Sequence, residues 1–336
     1  MKIKNINTNK KVFIIAEIGN NHEGSLKNAK KLINLAARAG VDAVKFQTFK
    51  TEEFVQKKDK KRFKQLKRFE LSFKDFVILK KLAHKKKIKF ISTPLDLIST
   101  NFLIKNADLI KVASGDNNFF PLIKKLLMSK KSIIISTGMT KMTDINDLSK
   151  FIYRILGVNE AHKRVSFLHC VTSYPVDVEN ANLNSIPYLI KNSNFLIGYS
   201  DHTIGKEACL SAVTLGAKII EKHFTLDKNF SKFRDHSLSA DYNELKEIVI
   251  SIRKIEKLLG KYEKKIQLSE KKLIKLVRRS AYAKKNIKIN EKITVENTEF
   301  LRPANSNDFL MLNNFLGKRT KKRIYKNQNI NKINLF

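Results

Sequence analysis

At 336 residues, with 42% hydrophobic and 29% charged side chains, the chain has the composition of a globular protein and the length for an α/β barrel of about 250 residues plus a small second domain. No apolar run approaches the roughly 20 residues of a membrane helix. The basic start Met1-Lys2-Ile3-Lys4-Asn5 leads into an apolar run at 12–15 that soon meets Glu17 and lacks the length and cleavage pattern of a secretory signal, so a cytoplasmic protein without a membrane partner is expected. The formal net charge is +36, yet the lysines gather at 57–67, 80–89, 261–275 and 318–326 rather than in one stripe with interleaved aromatics. That spread suits solvated helix faces and the steering of small anions better than a nucleic-acid footprint. Cys170 and Cys209 are the only cysteines, show no metal-ligand spacing and sit in apolar sequence, which predicts reduced, buried thiols.

In chain order, eight apolar, β-rich runs stand at 12–16, 43–46, 88–92, 109–113, 132–135, 165–168, 195–199 and 218–221. Amphipathic stretches lie between them, among them 26–39, 73–86, 122–130, 145–156, 205–215 and 241–259. Eight strand-then-helix units predict a closed (β/α)8 TIM barrel over 1–260. Ser25, Ser72, Ser239 and Asp241 stand where helix N-terminal N–H groups need acceptors. Gly40 and Gly216 mark helix exits into strands. The charged stretch 261–277 has neither proline nor a strand-like run and is expected to be a linker helix. From 278 to 336 short alternating pieces, at 280–283, 287–289, 292–295 and 300–303, predict a compact β-rich module.

Polar residues stand at nearly every strand end, and in a barrel these converge on the C-terminal mouth. Lys45 and Lys111 supply cations, while Ser114, Ser136, Thr137 and Ser200 supply hydroxyls, which together suit a phosphate-bearing substrate. Ser92 is assigned to capping rather than to the site. Glu17 and Asp116 are the candidate acid/base groups, because a carboxylate closing an apolar run needs a polar partner. His202 and His223 follow the last two runs. Neutral imidazole is the commonest side-chain metal ligand near neutral pH, and two histidines at one level on adjacent strands can share one divalent ion.

The motifs Ala16-Glu17-Ile18-Gly19-Asn20-Asn21-His22-Glu23-Gly24, Val44-Lys45-Phe46-Gln47-Thr48, Lys111-Val112-Ala113-Ser114-Gly115, Ser136-Thr137-Gly138-Met139, Tyr199-Ser200-Asp201-His202-Thr203 and Glu221-Lys222-His223-Phe224-Thr225 resemble those of the N-acetylneuraminate (sialic acid) synthase family. Leu301-Arg302-Pro303-Ala304-Asn305 with Leu316-Gly317-Lys318 is similar to that family's C-terminal antifreeze-like (SAF) domain. The resemblance implies a TIM barrel followed by a small β-rich SAF domain, and condensation of phosphoenolpyruvate with N-acetylmannosamine or a related N-acetylated hexose. The product would be a nine-carbon 2-keto sugar acid, with release of phosphate.

By the same resemblance, Mn2+ or Mg2+ is held by His202 and His223. Phosphoenolpyruvate is held by Lys45, Lys111, Ser114, Ser136 and Ser200. Glu17, Tyr174 and Arg302 take the sugar, with Asp116 and Asp235 completing the catalytic set. Arg302 would act in trans within a domain-swapped homodimer. The chain departs from the family pattern at Asp116, where a glutamate is usual, at Thr172-Ser173, and at Phe233-Arg234-Asp235-His236, where Gly-Pro-Asp is usual. These departures lie on the sugar side and keep a legionaminate-type acceptor open. A Schiff-base aldolase using Lys45 or Lys111 and a nucleic-acid-binding protein are the alternatives from other classes.

Overall fold

The computed structural model describes residues 11–304 and 315–336; the basic start at Met1-Lys2-Ile3-Lys4-Asn5 and Asn305 of the tail motif lie outside them. Eight strands, β1 (Phe13–Gly19), β2 (Ala43–Thr48), β3 (Lys89–Pro94), β4 (Leu109–Val112), β5 (Ser132–Ser136), β6 (Val165–Cys170), β7 (Leu196–Asp201) and β8 (Ile219–His223), close a barrel in sequence order, β8 pairing with β1. The pairs are parallel, as strand–helix–strand crossovers require. Several strands outrun their apolar sequence: β1 continues to Gly19, β6 to Cys170, β7 to Asp201 and β8 to His223. Ladder hydrogen bonds do not depend on side-chain polarity, and these extensions carry the mouth residues.

Side chains alternate along a strand, and the alternation divides each strand between two cores. Ile15, Ala43, Ile91, Leu109, Ile134, Leu168, Leu196 and Ile219 fill the barrel interior. Ile14, Val44, Phe90, Ile110, Ile133, Phe167, Ile197 and Ile220 pack against the surrounding helices. Several helices start where the sequence offers acceptors. Ser25 Oγ accepts from the N–H of Asn28 at 3.2 Å, Ser72 with Asp75 and Asp241 with Glu244 form capping boxes, and Gly40 ends the first helix at φ 91°. Gly198 of β7 has no room for a side chain: a Cβ there would lie 2.5 Å from Ile219 O and 2.6 Å from Leu168 Cδ2. Gly198→Ala is expected to destabilise the barrel by about 1–3 kcal/mol through overpacking. A lower urea midpoint at unchanged m-value would report this, and an unchanged midpoint would show that the strands can part.

By contacts the chain separates into two units, Met1–Gly260 and Lys261–Phe336. The second contains an antiparallel hairpin, β9 (Ser280–Ala283) with β10 (Thr298–Leu301), and a core of Ala281, Ala283, Ile287, Ile293, Phe315, Ile324, Ile330 and Leu335. The expected continuous linker helix does not form. The helix Tyr242–Leu259 stops at Gly260 (φ 58°), and 261–277 holds two single turns, Leu268–Lys271 and Ile274–Val277. That stretch is mostly exposed, so no buried face extends a helix through it. Among the described residues no helix is long and apolar enough to cross a membrane.

Candidate active site

Two residues beyond the apolar interior layer, the same inward faces turn polar. On β1, β2, β4, β5, β6 and β8 the residue two along is Glu17, Lys45, Lys111, Ser136, Cys170 and Glu221 in turn. The ladder sets Glu17 beside Lys45, Ser200 beside Glu221, and Glu17 beside His223. Lys45 Nζ lies 2.9 Å from Glu17 Oε2 and 3.6 Å from Glu221 Oε1. Lys111 Nζ lies 3.5 Å from the same Glu221 oxygen and donates to Ser136 Oγ at 2.7 Å. Ser200 Oγ donates to Glu221 Oε1 at 2.9 Å. All four charged side chains are 5% exposed or less.

Glu221 is therefore the hub of the cluster, and motif reading passes over it. Its signal is periodicity: Ile219 faces the barrel interior, so 221 and 223 must face the mouth. From the sequence alone a metal-bound water or a substrate hydroxyl is the expected partner of Glu17, whereas the chain itself supplies Lys45.

Burial and charge divide the four groups. Burial raises the Glu17 carboxyl to about 7, against the attraction of Lys45 and with the repulsion of Glu221. Burial also pushes Glu221 up, but Lys111, Lys45 and the Ser200 hydroxyl more than offset it, and its pKa falls. Lys45 is raised, Glu17 and then Glu221 outweighing burial, whereas burial lowers Lys111 despite Glu221. Near neutral pH Glu17 thus exchanges a proton while Glu221 stays ionised.

The two histidines meet beside this cluster, with ring centres 5.2 Å apart. Tyr174 stacks on His202 at 4.1 Å, and the Arg234 guanidinium carbon lies 4.6 Å from the Tyr174 ring centre. His202 Nδ1 donates to Val171 O at 2.8 Å, which leaves its Nε2 lone pair free, and His223 Nδ1 is buried without a hydrogen-bond partner among the described residues. Burial lowers His202 to about 4; burial and then the neighbouring His202 hold His223 well below its ordinary value. Both rings are neutral donors at pH 7, a chemistry that suits a divalent ion. Among the described residues no third His, Cys, Asp or Glu joins them.

The other candidates are placed less directly. Ser114 Oγ accepts from Gly138 N at 3.1 Å, and Asn117 Nδ2 donates to the carbonyls of Ser136 and Gly138 at 3.3 and 3.0 Å, pinning the turn after β5. Thr137 Oγ1 is spent on Leu168 O. Asp116 ends the short turn Ser114–Asp116, its carboxyl raised to about 6 by burial, and no hydrogen bond or ion pair ties that carboxyl to the lysines among the described residues. Asp235 pairs with Arg234 Nε at 3.3 Å, and Arg234 stacks over the Tyr174 ring that covers His202. Arg302 is an exposed residue following β10 in the second unit. Ser92 donates to Phe46 O and bonds Thr48 Oγ1, tying β3 to β2, and the helix after β3 is capped by Asp96 instead of the expected Ser92. Cys170 corrects the apolar expectation: it points inward, 3.9 Å from His202 Nδ1 and beside Lys111, Ser114 and Ser200, because its Leu168-like parity outweighs its sequence neighbours.

Residues 32–264 match the model of the NeuB family. The chain belongs to the NeuB family. Residues 278–332 match the SAF domain. An N,N'-diacetyllegionaminic acid synthase of Campylobacter jejuni is 41% identical over 92% of this chain and 96% of that protein. An N-acetylneuraminate-9-phosphate synthase of Mus musculus is 35% identical over 84% of this chain and 81% of its own length. Among solved structures, an N-acetylneuraminic acid (sialic acid) synthetase from Leptospira borgpetersenii in complex with citrate superposes with a TM-score of 0.75 at 35% identity, over 82% of this chain and 94% of that one. The NeuB family match spans the segment from the first barrel helix to just past the last, and so includes the mouth residues from Lys45 to His223.

Proposed function

We propose that the chain is a cytoplasmic, homodimeric nonulosonate synthase that joins phosphoenolpyruvate to an open-chain N-acetylated hexose and releases phosphate. The observation that carries the reading is the buried Lys45–Lys111–Glu17–Glu221 cluster, ringed by Ser136 and Ser200 and set beside two neutral histidines at one barrel mouth. The relatives' names support the product class, and their acceptors differ.

Lys45 and Lys111, with Ser114, Ser136 and Ser200, hold the anionic substrate and stabilise the departing phosphate. C3 of phosphoenolpyruvate attacks the aldehyde carbon, forming the new C–C bond; water then adds at C2, and the C2–O bond to phosphate breaks. A divalent ion, Mn2+ or Mg2+, held by His202 and His223 would supply Lewis-acid polarisation of the aldehyde. Glu17 takes and returns the protons of these steps, with Asp116 as a second acid/base group. Tyr174 and Asp235 line the acceptor side, and Arg302 closes it from the partner subunit. Acceptor choice rests on 232–239, where the chain departs from the family pattern.

The test is incubation with phosphoenolpyruvate, Mn2+ and a panel of N-acetylated hexoses, including N-acetylmannosamine, its 6-phosphate and a diacetamido-trideoxyhexose, with phosphate measured and the product identified by mass. His202→Ala or chelation is expected to lower turnover by about 10³ or more, the worth of several kcal/mol of charge stabilisation. Turnover that survives either treatment overturns the reading. Borohydride with pyruvate is expected to leave the protein unmodified, and an adduct on Lys45 or Lys111 would replace this reading with a Schiff-base aldolase.

A further inference from the structure

Between the two histidine-bearing strands, on the helix side of the barrel, lies an ion pair that the chemistry above does not use. Alternation turns Ser200 of β7, and Glu221 and His223 of β8, toward the mouth, and His202 follows directly on the end of β7; Asp201 and Lys222 face the other way. The two are direct neighbours in the parallel ladder. Lys222 Nζ donates to Asp201 Oδ2 at 2.7 Å and to Thr203 O at 2.5 Å, with both charged side chains 1% exposed or less. Asp201 also accepts from Thr203 N and Thr203 Oγ1 at 2.8 Å each, from Tyr199 OH at 3.1 Å and from Cys209 Sγ at 3.2 Å.

Stability alone does not account for this pair, because apolar residues of similar volume often replace a buried ion pair at no loss. Its connections are more informative. The Lys222 ammonium grips the chain on both flanks of His202, at the Asp201 side chain before it and the Thr203 carbonyl after it, while its own backbone immediately precedes His223. One ammonium therefore ties the backbone at one imidazole to the backbone at the other. The geometry points to Asp201 and Lys222 as positioning residues that hold His202 and His223 at the separation needed to share one divalent ion; this rests on the metal-site reading above.

The experiment titrates the full-length protein with Mn2+ alone, following free Mn2+ by its electron paramagnetic resonance signal, and records melting temperature and steady-state kinetics in parallel. The variants are His202→Ala, the charge-free double variant Asp201→Leu with Lys222→Met, and Thr203→Val, which removes one hydroxyl donor to Asp201. The double variant is expected to fold but to melt below the parent, because Thr203 N–H, Thr203 Oγ1 and Tyr199 OH lose their shared acceptor, to bind Mn2+ about 10–100-fold more weakly, and to lose kcat while its KM for phosphoenolpyruvate holds. Thr203→Val is expected to shift Mn2+ affinity in the same direction by a few-fold. A double variant that folds and binds Mn2+ like the parent overturns the positioning role, and if it does not fold, unaltered Mn2+ affinity in Thr203→Val does so. A parent that binds no Mn2+, or binds it equally after His202→Ala, instead overturns the metal-site reading.

Discussion

Replacing Glu221 by Gln is expected to destabilise the barrel by about 3–5 kcal/mol at pH 7, the usual effect of removing one partner from a buried ion pair. Its Oε1 is the only carboxylate oxygen within ion-pair distance of Lys111 among the described residues, at 3.5 Å, and a second partner of Lys45 at 3.6 Å. Lys45 keeps Glu17 in the variant, but Lys111, already lowered by burial, keeps only the Ser136 hydroxyl. The sign with pH follows from the depressed pKa of Glu221. Its contribution is fully present above the ordinary value of 4.5 and is lost as pH falls through the lower folded value. Urea unfolding of parent and variant between pH 7 and pH 3 should therefore show a gap that closes on the acid side. Equal midpoints at pH 7 would remove Glu221 from the centre of the cluster. Phosphoenolpyruvate should bind the variant no more weakly, since the mouth has lost a negative charge, and this separates the stability effect from a collapsed site.

The barrel is legible in the sequence because β-branched runs recur with helix-length spacing and because strand ends such as Val44-Lys45 and Ile135-Ser136 break apolar runs with polar residues that a purely apolar core strand does not need. What escapes has physical causes. Helices Thr51–Phe54 and Lys60–Phe69 follow β2; the second carries Phe63, Leu66 and Phe69 at helical spacing, but only Phe69 is buried, and its lysines read as a solvated charge run. Glu221 and Cys170 become visible only when inward and outward positions are counted from a known interior residue, here Ile219 and Leu168. Asp201–Lys222 escapes because the two sit in motifs that draw attention to the histidines next to them, and only the register between β7 and β8 brings them together. In the second unit, pairings such as Ile287 with Ile324 and Lys292 with Arg319 are single bridges between distant segments, which no local pattern announces.

The other large effect is expected at Glu17. A carboxyl buried in the mouth with its pKa near 7 can give a proton and take it back at neutral pH, which an ordinary carboxylate of about 4.5 cannot do efficiently. Glu17→Gln keeps the shape and an oxygen for Lys45 but removes the exchangeable proton. We expect kcat to fall by about 10²–10⁴, with little change in the KM for phosphoenolpyruvate. The parent's pH–rate profile should carry a limb near 7 that the variant lacks. Stability supplies an independent check with its own sign. Because the folded state raises this pKa, it holds the proton more tightly than the unfolded chain between 4.5 and about 7. Glu17 therefore favours folding most on the acid side, and its contribution declines as pH rises through that window. The Gln variant should lose this slope. A variant that retains both the kinetic limb and the slope would assign them to another group, and Asp116, raised to about 6, would be the next to replace.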